Sequence, residues 1–200
     1  MGKSIREIKL KRIFLGILFL LFGFANFLNA QELTLDEVKK KALTVTKEFE
    51  SKLKKELKNA KREGGIKAMT EYCIKDSKKI LEKMNNKYNP QISIKRVSLN
   101  NRNSKAKPLE DEVKILKALD LIQKSDAYEP EQIVQVISDT KYKVYSPIQM
   151  NSRDCKKCHG LENKVNKESQ KRFFEVYKNK KGFGHKSGDI RGAVVVTISK

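Results

Sequence analysis

The chain has 200 residues, a length that suits one domain around one core, and its 44 Lys and Arg against 24 Asp and Glu give a net charge of +20. The lysines are spread along the whole chain instead of being gathered into one stripe. That distribution argues against a nucleic-acid-binding protein and for a solvated surface that attracts an acidic partner or anionic lipid heads. No internal repeat and no low-complexity linker is visible.

Residues 1–30 read as a secretory signal. Lys3, Arg6, Lys9, Lys11 and Arg12 form a basic start, Ile13 to Leu28 is apolar without a charge, and small residues follow at Ala25 and Ala30. Cleavage after Ala30 is favoured over Ala25, although Ala25 has Gly23 as the better small partner. The run is shorter than the ~20 residues of a spanning helix, so an uncleaved membrane anchor is the secondary reading. No Cys follows the run to take a lipid. Residues 31–200 then form a single domain with a net charge of +16, expected in the periplasm.

From Leu33 to Arg62 the residues Leu35, Val38, Ala42, Val45, Phe49, Leu53, Leu57 and Ala60 recur at helical spacing and predict a long amphipathic helix, ended by Gly64-Gly65. A second helix is expected from Ile66 to Met84, with Cys73 on its apolar stripe. Asn89-Pro90 turns the chain into a strand over Gln91 to Ser98. Asn100 to Lys107 is polar and loop-like. Pro108, with Glu110 to Glu112 in the first turn, opens a short helix to Lys124. Ile133 to Ser138 and Lys141 to Pro147 read as a β-hairpin across Asp139-Thr140. Helical stretches follow from Asp154 and over Glu168 to Tyr177, then a glycine-rich loop from Gly182 to Asp189, and a final central strand from Gly192 to Ser199.

The chemistry concentrates in Cys155-Lys156-Lys157-Cys158-His159, a C-x-x-C-H attachment site for one covalently bound haem c. On a helix the two thiols share a face, where they can add across the haem vinyl groups, and His159 is the proximal iron ligand. Zinc would need a second pair of ligands, and only Cys73 and His185 remain. Cys73 reads as a small core residue, a partner in an intermolecular disulfide, or the distal iron ligand. His185 reads as an exposed loop residue or the alternative distal ligand. Met69, Met84 and Met150 are assigned to core or surface. Arg102 and Arg191 are candidate partners of the haem propionates. Covalent haem attachment in bacteria takes place outside the cytoplasmic membrane, which agrees with the signal.

Several segments together carry a resemblance. Gly64-Gly65-Ile66-Lys67-Ala68 leads to Cys73; Arg96-Val97-Ser98-Leu99-Asn100-Asn101-Arg102-Asn103 and Tyr145-Ser146-Pro147-Ile148 follow; Cys155 to Gly160 and Gly188-Asp189-Ile190-Arg191-Gly192-Ala193 close the set. These segments resemble the exported single-haem c-type proteins with a PAS-like fold, found alone or in the extracytoplasmic part of sensor kinases. The resemblance implies an α+β fold with a five-stranded antiparallel sheet flanked by helices, and iron held by His159 and Cys73. Two positions depart from the family pattern, where Ser104 replaces a Pro and Ala106 an Asn, while Pro108 is kept.

Three functions follow as expectations. The first is a redox or small-ligand (CO or NO) sensor reporting to a separate signalling partner. The second is a periplasmic electron carrier with a bis-His haem, His159 and His185, docking an acidic redox partner through its lysines. The third, a peroxidase, is disfavoured: an iron with both axial sites filled leaves no place for peroxide, and no distal His-Arg pair is visible, so no enzymatic activity is expected.

Overall fold

The computed structural model describes residues 33–88, 90–125 and 130–199; the stretch read as a secretory signal lies outside them. Helix α1 spans Leu35–Lys75. It starts where Thr34 and Glu37 form a reciprocal cap, Thr34 Oγ1 accepting the Glu37 N–H (3.2 Å) and Glu37 Oε2 accepting the Thr34 N–H (2.8 Å). Its stripe of Val38, Ala42, Val45, Thr46 and Phe49 is buried, as the spacing predicts.

The glycines bend this helix without ending it. Gly64 (φ −154°) and Gly65 (φ 63°, ψ −145°) are non-helical, and helical structure resumes on their far side. The left-handed conformation at Gly65 carries little steric cost because there is no Cβ to meet the following carbonyl. The second expected helix is divided in turn at Asp76, so its first half belongs to α1 and its second half to α2, Ser77–Tyr88. Glu48 of α1 fastens the two, accepting hydrogen bonds from Lys87 Nζ (2.9 Å) and Tyr88 Oη.

Strands β1 (Ile92–Val97), β2 (Ile133–Ser138), β3 (Lys141–Gln149) and β4 (Ile190–Ser199) form an antiparallel sheet in the order β1-β4-β3-β2. Strand β4 is internal, and Ala193 to Val196 are buried consecutively because both faces of the sheet are covered. The α+β class and the long N-terminal helix agree with the sequence reading. The sheet has four strands among the described residues, however, not five. After β1 the chain folds into a 3-10 turn, Ser104–Ala106, capped by Asn103 and tied back by Ser98 N–H donating to Ala106 O (3.0 Å). This turn contains Ser104 and Ala106, the two positions that depart from the family pattern.

Register assigns the two faces. Ile94, Val196 and Val144 stand side by side across β1, β4 and β3, and the Thr46 and Ser146 hydroxyls (3.5 Å apart) put α1 over that face. Val97, Tyr145, Ala193 and Val195 line the other face with Leu116 of α3, Glu110–Lys124. Glu112, with a fully buried side chain, fixes α3 there through Lys95 Nζ (2.7 Å) and Lys143 Nζ (3.4 Å). The haem-motif helix α4 (Arg153–His159) and α5 (Lys167–Tyr177) follow β3. Among the described residues no helix is long and apolar enough to cross a membrane.

Two outcomes follow from this packing. A Cβ at Gly192 would collide with the Val97 carbonyl oxygen across the β1–β4 pair, so Gly192→Ala is expected to cost about 1–3 kcal/mol in urea unfolding. An unchanged midpoint would refute the close approach. The second concerns acid. Lys52, Tyr88 and Lys87 hold the Glu48 carboxyl down at about 2, against an ordinary 4.5. A depressed carboxylate stabilises the fold above its unfolded value and loses that contribution as pH falls through the folded one. The melting temperature is therefore expected to fall between pH 4.5 and 2, with a shallower fall in Glu48→Gln.

Candidate haem site

Helix α4 begins at Ser152, whose Oγ accepts the Asp154 N–H (3.2 Å), and carries Cys155 and Cys158 one turn apart, both as free thiols. Cys158 is buried in an apolar cluster with Val165, Phe173 and Phe183, and Ile66, Cys73, Ile74 and Tyr177 pack against that cluster. Cys73 is thus brought from 82 positions upstream in the chain to the wall of the motif. The downstream half of α1 is held there by Thr70, hydroxyl to hydroxyl with Ser169 of α5 (2.7 Å), and by Glu71, paired with the Arg172 guanidinium.

His159 is oriented by its backbone neighbours. Its Nδ1 lies 2.9 Å from the carbonyl oxygen of Gly182. A carbonyl can only accept, so Nδ1 carries the proton and Nε2 keeps its lone pair free for a metal. Desolvation, then the Arg191 and Arg102 charges, push the imidazole well below its ordinary pKa and keep it neutral. The glycine-rich loop is sewn to the same helix end by Gly184 N–H to Gly160 O (2.8 Å) and His185 N–H to His159 O (3.2 Å).

Arg102 is the brace of this arrangement. Only 5% exposed, it donates from Nη2 to Cys158 O (2.8 Å) and Gly182 O (3.1 Å) and from Nε to Lys181 O (3.1 Å). Its guanidinium carbon lies 3.8 Å from the Phe173 ring centre and 4.4 Å from that of Phe183. Three of its five N–H donors are therefore committed to backbone carbonyls, and the two on Nη1 remain for the propionate role expected of it. Asn100 completes the clamp, donating from Nδ2 to Phe183 O and accepting the Gly182 N–H, both at 2.7 Å.

Around this brace the electrostatics are one-sided. Arg96, Arg102 and Arg191 have no acidic partner within ion-pair distance among the described residues, and desolvation lowers all three, Arg102 to about 10 and Arg191 to about 9. Burial, then Cys158, pushes the Cys73 thiol up to about 11, while Arg96 and Arg102 oppose that rise. His185 is half-buried, and its Nε2 is sealed from solvent without a hydrogen-bond partner.

Sequence reasoning missed Arg96, the two phenylalanines and the work of Asn100. Arg96 was within reach, because it shares strand parity with Ile92 and Ile94 and so puts a charge on an apolar face. A haem fits the donor set: two unbridged thiols one turn apart, a neutral imidazole with a free Nε2, apolar walls, and three buried or half-buried arginines without an ion-pair partner among the described residues.

Residues 30–199 match the family described as Tll0287-like. The chain belongs to the Tll0287-like family. The resemblance seen in the sequence therefore stands at the level of the family. Among solved structures, that of the cyanobacterial heme-protein Tll0287 aligns with a TM-score of 0.48 and 20% identity, covering 61% of this chain and 68% of that one. No curated protein matches.

In this member of the family the brace can be tested directly. Arg102→Gln removes a donor from each of the carbonyls of Cys158, Gly182 and Lys181 and is expected to cost about 3 kcal/mol in urea unfolding, at about 1 kcal/mol for each lost bond. Arg102→Lys should rescue little, since one ammonium lacks the flat fork that serves three carbonyls between two rings. Full rescue by Lys would show that charge alone was needed.

Proposed function

We propose that this chain is an exported, single-haem c-type redox protein, with haem joined through Cys155 and Cys158 and iron held by His159 and Cys73. The observation that carries the reading is the packing of Cys73 against the cluster that contains Cys158, beside a His159 whose Nε2 is free. When bound, the haem would supply one-electron redox chemistry and affinity for CO or NO.

The protein's own residues have defined tasks in this reading. The Gly182 carbonyl holds the His159 ring in its ligand tautomer. Arg102 fixes the carbonyl end of α4, so the thiols keep their orientation. Arg96 and Arg102 provide the positive field that favours Cys73 as a thiolate, opposing the desolvation that favours the thiol. The Gly64–Gly65 bend would give the Cys73 segment a place to pivot. Such a movement suits a redox or small-ligand sensor that reports to a separate partner. The excess of lysine suits an acidic one.

A specific observation favours a second reading. The sealed, unpartnered Nε2 of His185 is a free imidazole donor, and its use would make the haem bis-His and the protein a periplasmic electron carrier.

Spectra of the ferric holoprotein, matured in a host with c-type haem machinery, separate the two readings. On the Cys73 reading, Cys73→Ala alone changes the low-spin EPR signal and raises the midpoint potential by a sizeable part of the roughly 0.8 V that axial ligands span. On the other reading, His185→Ala alone changes the signal. A reduced protein whose spectrum ignores CO would sink the ligand-sensor role, and a preparation without a c-type pyridine haemochrome would sink the haem assignment itself.

A further inference from the structure

Beside the motif, between the C-terminal part of α3 and the glycine-rich loop, lies a cavity of about 460 Å³ whose lining includes Ser98, Asn100, Gln123, His185 and Arg191. Arg191 is held there from two sides. Ser98 Oγ donates to the Arg191 carbonyl (2.7 Å) and accepts from Arg191 Nη1 (2.9 Å), and Nη1 also reaches Asn100 O (3.5 Å). These contacts use one end of the guanidinium. Its Nε and Nη2 have no hydrogen-bond partner among the described residues, and neither atom is sealed inside the protein.

The charges around this free edge are wrong for a resting arginine. The two carboxylates of the cavity are engaged elsewhere, Asp120 with Lys124 Nζ (2.7 Å) and Asp189 with the Lys186 N–H (2.6 Å). The charged side chains that act most strongly on Arg191 are Arg102 and Arg96, both cations. A half-buried guanidinium with unused donors, pinned in one orientation and in ion-pair contact with neither carboxylate of its cavity, is a site for an anion from outside the chain. The parallel Nε and Nη2 donors match the two oxygens of a carboxylate.

We infer that this cavity binds a carboxylate, gripped in bidentate fashion by Nε and Nη2 of Arg191. The group has two sources of the same chemistry. One is a propionate of the haem, an assignment that rests on the function proposed above. The other is a small free organic acid entering from solvent, which needs no haem and would place an effector beside the motif.

Calorimetric titration of the ferric holoprotein with sodium acetate in a constant chloride background, together with resonance Raman of the propionate bending modes, distinguishes them. The proteins compared are wild type, Arg191→Gln and Arg191→Lys. One-to-one acetate binding that Arg191→Gln weakens at least tenfold, with Arg191→Lys restoring part of it, establishes the free-acid site. Absence of acetate binding, with a propionate band that moves in Arg191→Gln, assigns the pocket to the haem. Neither response overturns the inference, and so does inorganic phosphate binding more tightly than acetate. If the purified chain holds no haem, the haem reading fails while the acetate titration of that same chain still decides the pocket. Should Arg191→Gln fail to melt cooperatively, Ser98→Ala takes its place. That change frees the Nη1 end, and a several-fold weaker acetate response or a smaller propionate shift is expected from it.

Discussion

One guanidinium holds the functional end of this protein together. Arg102 sits between two phenylalanine faces and donates to carbonyls at the end of α4 and in the glycine-rich loop, segments that are more than twenty residues apart. Each carbonyl would otherwise be left with one fewer partner in a largely apolar surround, and the arginine would be a buried cation with nothing to satisfy it. The solution is mutual. With the loop fixed, the Gly182 carbonyl can orient His159, and with α4 fixed, Cys158 can stay in its apolar cluster.

The sheet stands behind this assembly as a rigid wall with different helices on its two faces. On one side α1 lays down a buried stripe that is apolar but for Thr46; on the other, α3 is fastened by a buried carboxylate between two lysines. A buried ion pair of this kind is weak evidence for stability, and what it does is tie α3 to β1 through Lys95 and to β3 through Lys143. That placement matters for the site. It sets the floor of the cavity into which Arg191 faces, so the position of α3 bears directly on what the cavity can hold.

Much of this was legible in the sequence where the signal is local. Apolar spacing marked the first helix, alternation marked β1, and the continuous apolar run marked an internal β4. The motif thiols and His159 follow from three residues of two types at fixed spacing. Long-range pairing was not legible: that Arg102 turns to carbonyls 56 and 80 positions away depends on how the chain closes, which no local pattern encodes. The loop after β1 has a middle status. Its two altered positions were visible, but the capped 3-10 turn that contains them depends on Asn103 and the Ser98–Ala106 bond together.

The glycine pair divides α1 mechanically into two parts. Upstream of the bend the helix is committed to the sheet through Val38, Val45 and Phe49; downstream it is committed to α5 and the motif through Thr70, Glu71 and Cys73. A straight helix would be stiff, and any displacement at Cys73 would be levered into the sheet core some twenty residues away. Two residues without side chains break that lever. The consequence is a joint in one place: between the part of α1 packed on the sheet and the part bearing the thiol, the backbone torsions are the least restricted of the helix.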